Sequence, residues 1–192
     1  MHYINTIKKE EIASLPIEEF PGQIIVVERE NQVPDAIKVL TDSKEVGFDT
    51  ETRPTFAKGK THQVALIQLS TEEICYLFRL NLLGMPKELE FFLKDMSVKK
   101  IGLSLRDDFN ALRKRTNIEP VNFLDLQNYV SQYGIDDASL QKIYAILFKK
   151  KISKRARLSN WESGFLTEAQ QKYAALDAWA CLRIYKFLNL PQ

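Results

Sequence analysis

Apolar residues recur along this chain with two different periods, and the change from one to the other organises it. The β-branched run QIIVVE, Gln23–Glu28, reads as a strand, and VPDAIKVLTDS then reads as a short helix opened near Pro34 and Asp35. In KEVGFDTETRP, Lys44–Pro54, an extended backbone sends Val46 and Phe48 to one face and Asp49 and Glu51 to the other. Alternation resumes in QVALIQLST and EICYLFRL, joined by a polar turn, so three successive strands predict an antiparallel block. From Pro86 the period changes. PKELEFFLKD is helical, VKKIGLSL is a strand, and RDDFNALRKR and SLQKIYAILFKK are helical again. The last element, EAQQKYAALDAWACLRIYKFL, follows a capping box of Thr167 and Gln170 and carries apolar residues at three- and four-residue spacing. Strands first and alternation later predict an α/β domain, a mixed sheet flanked by helices. Residues 1–22 mix acids, lysines and isolated apolar residues before a turn at FPGQ, which predicts an N-terminal arm or helix ahead of a domain over residues 23–192.

Composition narrows this picture modestly. At 192 residues and 45% apolar content the chain can bury one substantial core. A net charge of +2 neither demands nor excludes a polyanionic partner, so that case rests on the local run KKKISKRAR, Lys149–Arg157, between two predicted helices. Cys75 and Cys181 lie in apolar surroundings and read as buried free thiols of a reducing compartment. No segment has the apolar run needed to cross a bilayer, so no membrane association and a cytoplasmic location are the default expectations. Walker-type glycine loops, G-x-S-x-G elbows, Cys-x-x-Cys and His-Glu-x-x-His are absent from the sequence. Only His2 and His62 are available for histidine chemistry, and His62 reads as a loop residue.

The acids are better placed. Asp49 and Glu51 share a strand face, where two like charges about 5 Å apart repel by about 3 kcal/mol at an effective dielectric near 20. Water, a proton or a cation must offset that repulsion. Asp107 and Asp108 stand where a strand runs into a helix: Asp107 is placed to cap it, while Asp108, four residues before Leu112, starts the inward stripe and needs a partner. Tyr173 and Asp177, four residues apart, share one face of the last helix.

Taken in order, VGFDTET, GLSLRDDFNAL and YAALDA resemble the three motifs of the DEDD 3′–5′ exonucleases of the ribonuclease H-like superfamily. Tyrosine four residues before the last aspartate makes the resemblance one to the tyrosine subclass, that of ribonuclease D and the Werner-type exonuclease domains. QVALIQLST and LSNWESGFLTEAQQKYAALDAWA are similar to that family too, so the likeness spans roughly Gln23 to Leu188. It implies a hydrolase acting on DNA or RNA at the 3′ end, with nucleoside 5′-monophosphates as products. Asp49, Glu51, Asp108 and Asp177 would then hold two ions, and oxygen-only ligation selects Mg²⁺ or Mn²⁺. Asp49 would bridge both ions, Glu51 and Asp177 would complete the water-activating side, and Asp108 would hold the second ion. Tyr173, with an ordinary phenol pKa near 10, would orient the attacking water rather than take its proton. Candidate substrate contacts are Arg53 and Phe56 beyond the first motif, Lys154, Arg155 and Arg157 in the basic run, and Trp161 as a stacking platform. For the basic run the alternative is a solvated loop, and for Trp161 a buried anchor. The chain's end soon after the third motif leads to the expectation of an isolated Werner-like nuclease without the helical domains that follow ribonuclease D. A binding scaffold of the same fold without turnover is the alternative reading.

Overall fold

The computed structural model describes residues 3–55 and 61–190. Its strands are β1 (Gln23–Val27), β2 (Glu45–Thr52), β3 (Val64–Ser70), β4 (Ile74–Arg79), β5 (Lys99–Gly102) and β6 (Phe123–Asp125). They form one sheet in the order β1-β4-β3-β2-β5-β6. The predicted antiparallel block is present as β2, β3 and β4, and β1, β5 and β6 join its two flanks in parallel. This is the mixed, helix-flanked sheet expected of the ribonuclease H-like fold.

Alternation along β2 divides the two layers. Val46 and Phe48 enter a core with Ile67, Leu69, Phe78, Leu40 and Phe92, which brings α2 (Val33–Asp42) and α4 (Lys87–Lys94) against one side of the sheet. On the other side Leu66, Cys75 and Leu77 meet Ala174 and Ala175 of α8 (Glu168–Leu188), the long last helix. Its capping box is formed as the sequence predicts: the Gln170 amide donates to Thr167 Oγ1 at 3.3 Å and the Thr167 amide to Gln170 Oε1 at 3.0 Å. α8 crosses β2 backbone to backbone. A Cβ at Gly47 would fall 1.8 Å from the Ala178 carbonyl oxygen, so only glycine permits this contact. Beyond α8, α7 (Leu140–Phe148) packs Ile143 and Ala145 into a further core with Leu182 and Ile184.

Two expectations change in detail. The helix after β5, α5, spans Leu105–Arg113 with left-handed Ser104 as its cap, so Asp107 lies exposed inside the first turn instead of capping it. The reason is tertiary: Asp125, at the end of β6, accepts hydrogen bonds from the Ser104 and Leu105 amides at 3.0 and 2.9 Å. Strand β6 and the short helices α3 (Leu80–Leu83) and α6 (Leu126–Val130) are too brief to show a period in sequence.

The N-terminal segment contains α1 (Lys9–Ala13) and buries Ile7 and Ile12 in the core beneath α7 and α8. Ile17 then makes a parallel bridge with Lys151. Beside it, buried Glu18 accepts hydrogen bonds from Tyr144 Oη at 2.8 Å, Lys150 Nζ at 3.0 Å and Arg183 Nη1 at 2.6 Å. Burial alone would raise the Glu18 pKa, but these bonds outweigh it and hold the carboxyl below its usual range. Among the described residues no helix is long and apolar enough to cross a membrane.

Candidate active site

The Gly47 crossing sets the site. Because α8 rides directly on β2 there, Asp177, next to Ala178, is lowered onto Asp49 and Glu51, which leave β2 on the same side two and four residues further on. One oxygen from each of Asp49, Glu51 and Asp177 lies within 4.8 Å of the others. All are largely shielded from water. Burial, followed by mutual repulsion, pushes Asp49 well above the ordinary carboxylate range and Glu51 up to about 9. Asp177 rises to about 7 through burial, even though Tyr173 donates a hydrogen bond to it.

Asp108 stands beside this group and not within it. Its Oδ1 accepts the hydroxyl of Thr50, which alternation places on the opposite face of β2 from Asp49. The inward-facing acid thus has the partner that the sequence required of it, but the sequence did not reveal which. Burial lifts Asp108 to about 6, and its charge in turn helps to raise Asp49 and Glu51.

Tyr173 lies one turn before Asp177, and its phenol is raised by burial and then by the nearby carboxylates, so it stays protonated. Asp177 Oδ1 is buried with no hydrogen-bond partner among the described residues. An all-carboxylate donor set with one such unpartnered oxygen fits a hard divalent cation: Asp49, Glu51 and Asp177 would hold it directly, with Asp108 adjacent.

The predicted substrate contacts separate into distinct groups. Lys154 and Arg157 are exposed and close enough to Asp177 and Glu51, respectively, to lower their pKa values. Arg155 is exposed and, with Phe20, Lys172 and Tyr173, lines a cleft on the outer side of α8. Lys150 and Lys151 of the same basic run are instead engaged with the N-terminal segment, through Glu18 and the Ala13 carbonyl. Trp161 is fully buried with its ring 6.1 Å from that of Tyr173, among Leu66, Leu166 and Ala174. No face of the indole is open to a base, so it is an anchor, the second of its two readings. Arg53 pairs with Glu162 at 3.3 Å, and His62 Nδ1 reaches the same carboxylate at 3.3 Å, which ties the loop before α8 to the segments flanking the first motif. Phe56 lies outside the described residues.

Sequence reasoning missed the group that fixes this loop. Arg79, fully buried at the end of β4, donates to the carbonyls of Ser163 and Gly164, the latter at 3.0 Å, and pairs with Glu28 at 3.1 Å. A lone arginine at a strand end gave no pattern by which to find it.

The 3′–5′ exonuclease family model matches residues 24–191 of the chain. The mouse protein named bifunctional 3′-5′ exonuclease/ATP-dependent helicase WRN is 33% identical over 186 residues, covering 92% of this chain and 13% of that protein. A 3′-5′ exonuclease of Arabidopsis thaliana is 29% identical over 195 residues, covering 93% of this chain and 68% of its own length. Among solved structures, ribonuclease D of Escherichia coli superposes with a TM-score of 0.76 at 22% identity, over 86% of this chain and 44% of the other, a likeness of fold.

Proposed function

Because this chain belongs to the 3′–5′ exonuclease family, we propose that its acidic pocket hydrolyses the terminal phosphodiester bond at the 3′ end of DNA or RNA, releasing nucleoside 5′-monophosphates. The observation that carries this reading is the convergence of Asp49, Glu51 and Asp177 within 4.8 Å, with Asp108 alongside. Two divalent cations, Mg²⁺ or Mn²⁺, bound by these four acids would supply the charge that activates a water and stabilises the departing 3′ oxygen. The chain's own residues do the rest. Asp49 is central, raised by burial and then by the charges of Asp108, Asp177 and Glu51 together, as befits a shared ligand. Tyr173 keeps its proton, so it orients the attacking water and leaves proton removal to other groups. Arg157 and Lys154, flanking the pocket, meet the phosphates and hold the terminal linkage in line; Arg155 extends that contact outward. The water oxygen bonds to phosphorus as the bond from phosphorus to the 3′ oxygen breaks. The relatives' names support the chemistry, and the RNA-bound ribonuclease D neighbour of Trypanosoma brucei supports nucleic acid as ligand without choosing between sugars.

End-labelled single-stranded and recessed-end substrates of both DNA and RNA test the proposal directly. With Mg²⁺ or Mn²⁺ a stepwise ladder of shortened products is expected, and Asp49→Asn should slow it by at least about 10²-fold. No shortening on any substrate, or an equal rate in the variant, would refute it. Internal cuts would point to an endonuclease instead.

A further inference from the structure

Gln68 occupies the middle of β3, is fully buried, and has neither its amide nitrogen nor its amide oxygen partnered among the described residues. Its direct antiparallel neighbour is Asp49. Side chains opposite one another on such a ladder leave the sheet on the same face with Cβ atoms about 5 Å apart. The other neighbour is Leu77, and the surrounding face is built from Leu66, Cys75, Ala174 and Ala175. Ser70, two residues along, gives its hydroxyl to the Thr71 carbonyl at 2.8 Å. The Thr50 backbone amide lies close enough to the Asp49 carboxylate to lower its pKa. An amide buried with both ends open is a standing cost that methionine or leucine would not carry. The Asp49 carboxylate is the polar side chain directly across the ladder from it, with Glu51 on the same face two residues further along β2.

We propose that Gln68 is the positioning residue of Asp49: a rotation of the buried amide, unpartnered in the structure, brings an Nε2–H onto one carboxylate oxygen and leaves the other for the cation shared with Glu51 and Asp177. The bond fixes the carboxylate's rotation, so that a cation meets a preset oxygen instead of selecting one from a rotating group. The inference rests on the role proposed above for Asp49.

The test is Mn²⁺ titration followed by thermal unfolding, with steady-state kinetics, on the intact chain and on Gln68→Met. The variant removes the unpartnered amide, so its metal-free melting temperature should equal or exceed that of the parent. Its Mn²⁺ affinity and kcat should nevertheless fall roughly 10–100-fold, with KM for the nucleic acid unchanged. In the parent, the ¹⁵N side-chain amide resonance of Gln68 should move on adding Mg²⁺, a readout that needs no variant. Mn²⁺ affinity and kcat in Gln68→Met within about twofold of the parent, while Asp49→Asn is inactive, would overturn the inference and leave the nuclease assignment standing. A stationary Gln68 amide resonance under saturating Mg²⁺ would do the same.

Discussion

Burial gives the individual acids their character. Asp49, Glu51, Asp108 and Asp177 each hold a proton more firmly in the fold than an ordinary carboxylate does, the last three up to about 9, 6 and 7. Without metal, the folded chain therefore binds more protons than the unfolded chain from about pH 4 upward, and stability falls as pH rises through that window to about pH 9. The melting temperature of the metal-free protein should drop by about 5 °C or more between pH 5 and pH 9. Saturating Mn²⁺ should remove most of the slope, and Glu51→Gln should flatten it without metal; a melting temperature that rises with pH across that range would contradict the charge arrangement. These acids were legible in sequence because strand alternation and helical spacing are local rules. Thr50 and Asp125 were not, since the partner each finds lies twenty or more residues away in another element.

At the scale of elements, the site depends on how closely α8 approaches β2. Gly47→Ala inserts a methyl where the Ala178 carbonyl already stands, and neither backbone can yield cheaply. The expected result is a loss of about 3 kcal/mol in urea unfolding and a larger proportional loss of Mn²⁺ affinity, because lifting α8 raises Asp177 away from Asp49. A variant with parental stability and metal binding would show that the crossing is not what sets the acids' spacing. The periodic elements, above all the long last helix with its capping box, could be read from the chain. The start of α5 could not, because Asp125 replaces the local cap for which Asp107 was the obvious candidate.

Across the whole molecule, the N-terminal segment is joined to α7 and α8 through Ile7, Ile12 and the Glu18 cluster. The division into a 1–22 arm and a 23–192 nuclease unit is a proposal about function, and the packing predicts that the two unfold together. Glu18→Ala leaves Arg183 and Tyr144 without their shared acceptor and should cost about 3 kcal/mol in a single cooperative transition. An early, separate transition for the arm would show instead that it melts alone. None of this was visible in residues 1–22, which read only as an N-terminal arm or helix ending in a turn until the fold set Glu18 against three donors.

The loop before α8 is gripped from below by Arg79, which water does not reach, while its leading half presents Lys154, Arg155 and Arg157 to the solvent. Dissolved ions compete with the second set and hardly touch the first. Raising ionic strength should therefore loosen the enzyme's hold on a polynucleotide steeply while the melting temperature stays nearly level, and dilution should restore turnover at once, because the jaw that lets go remains bolted to its frame.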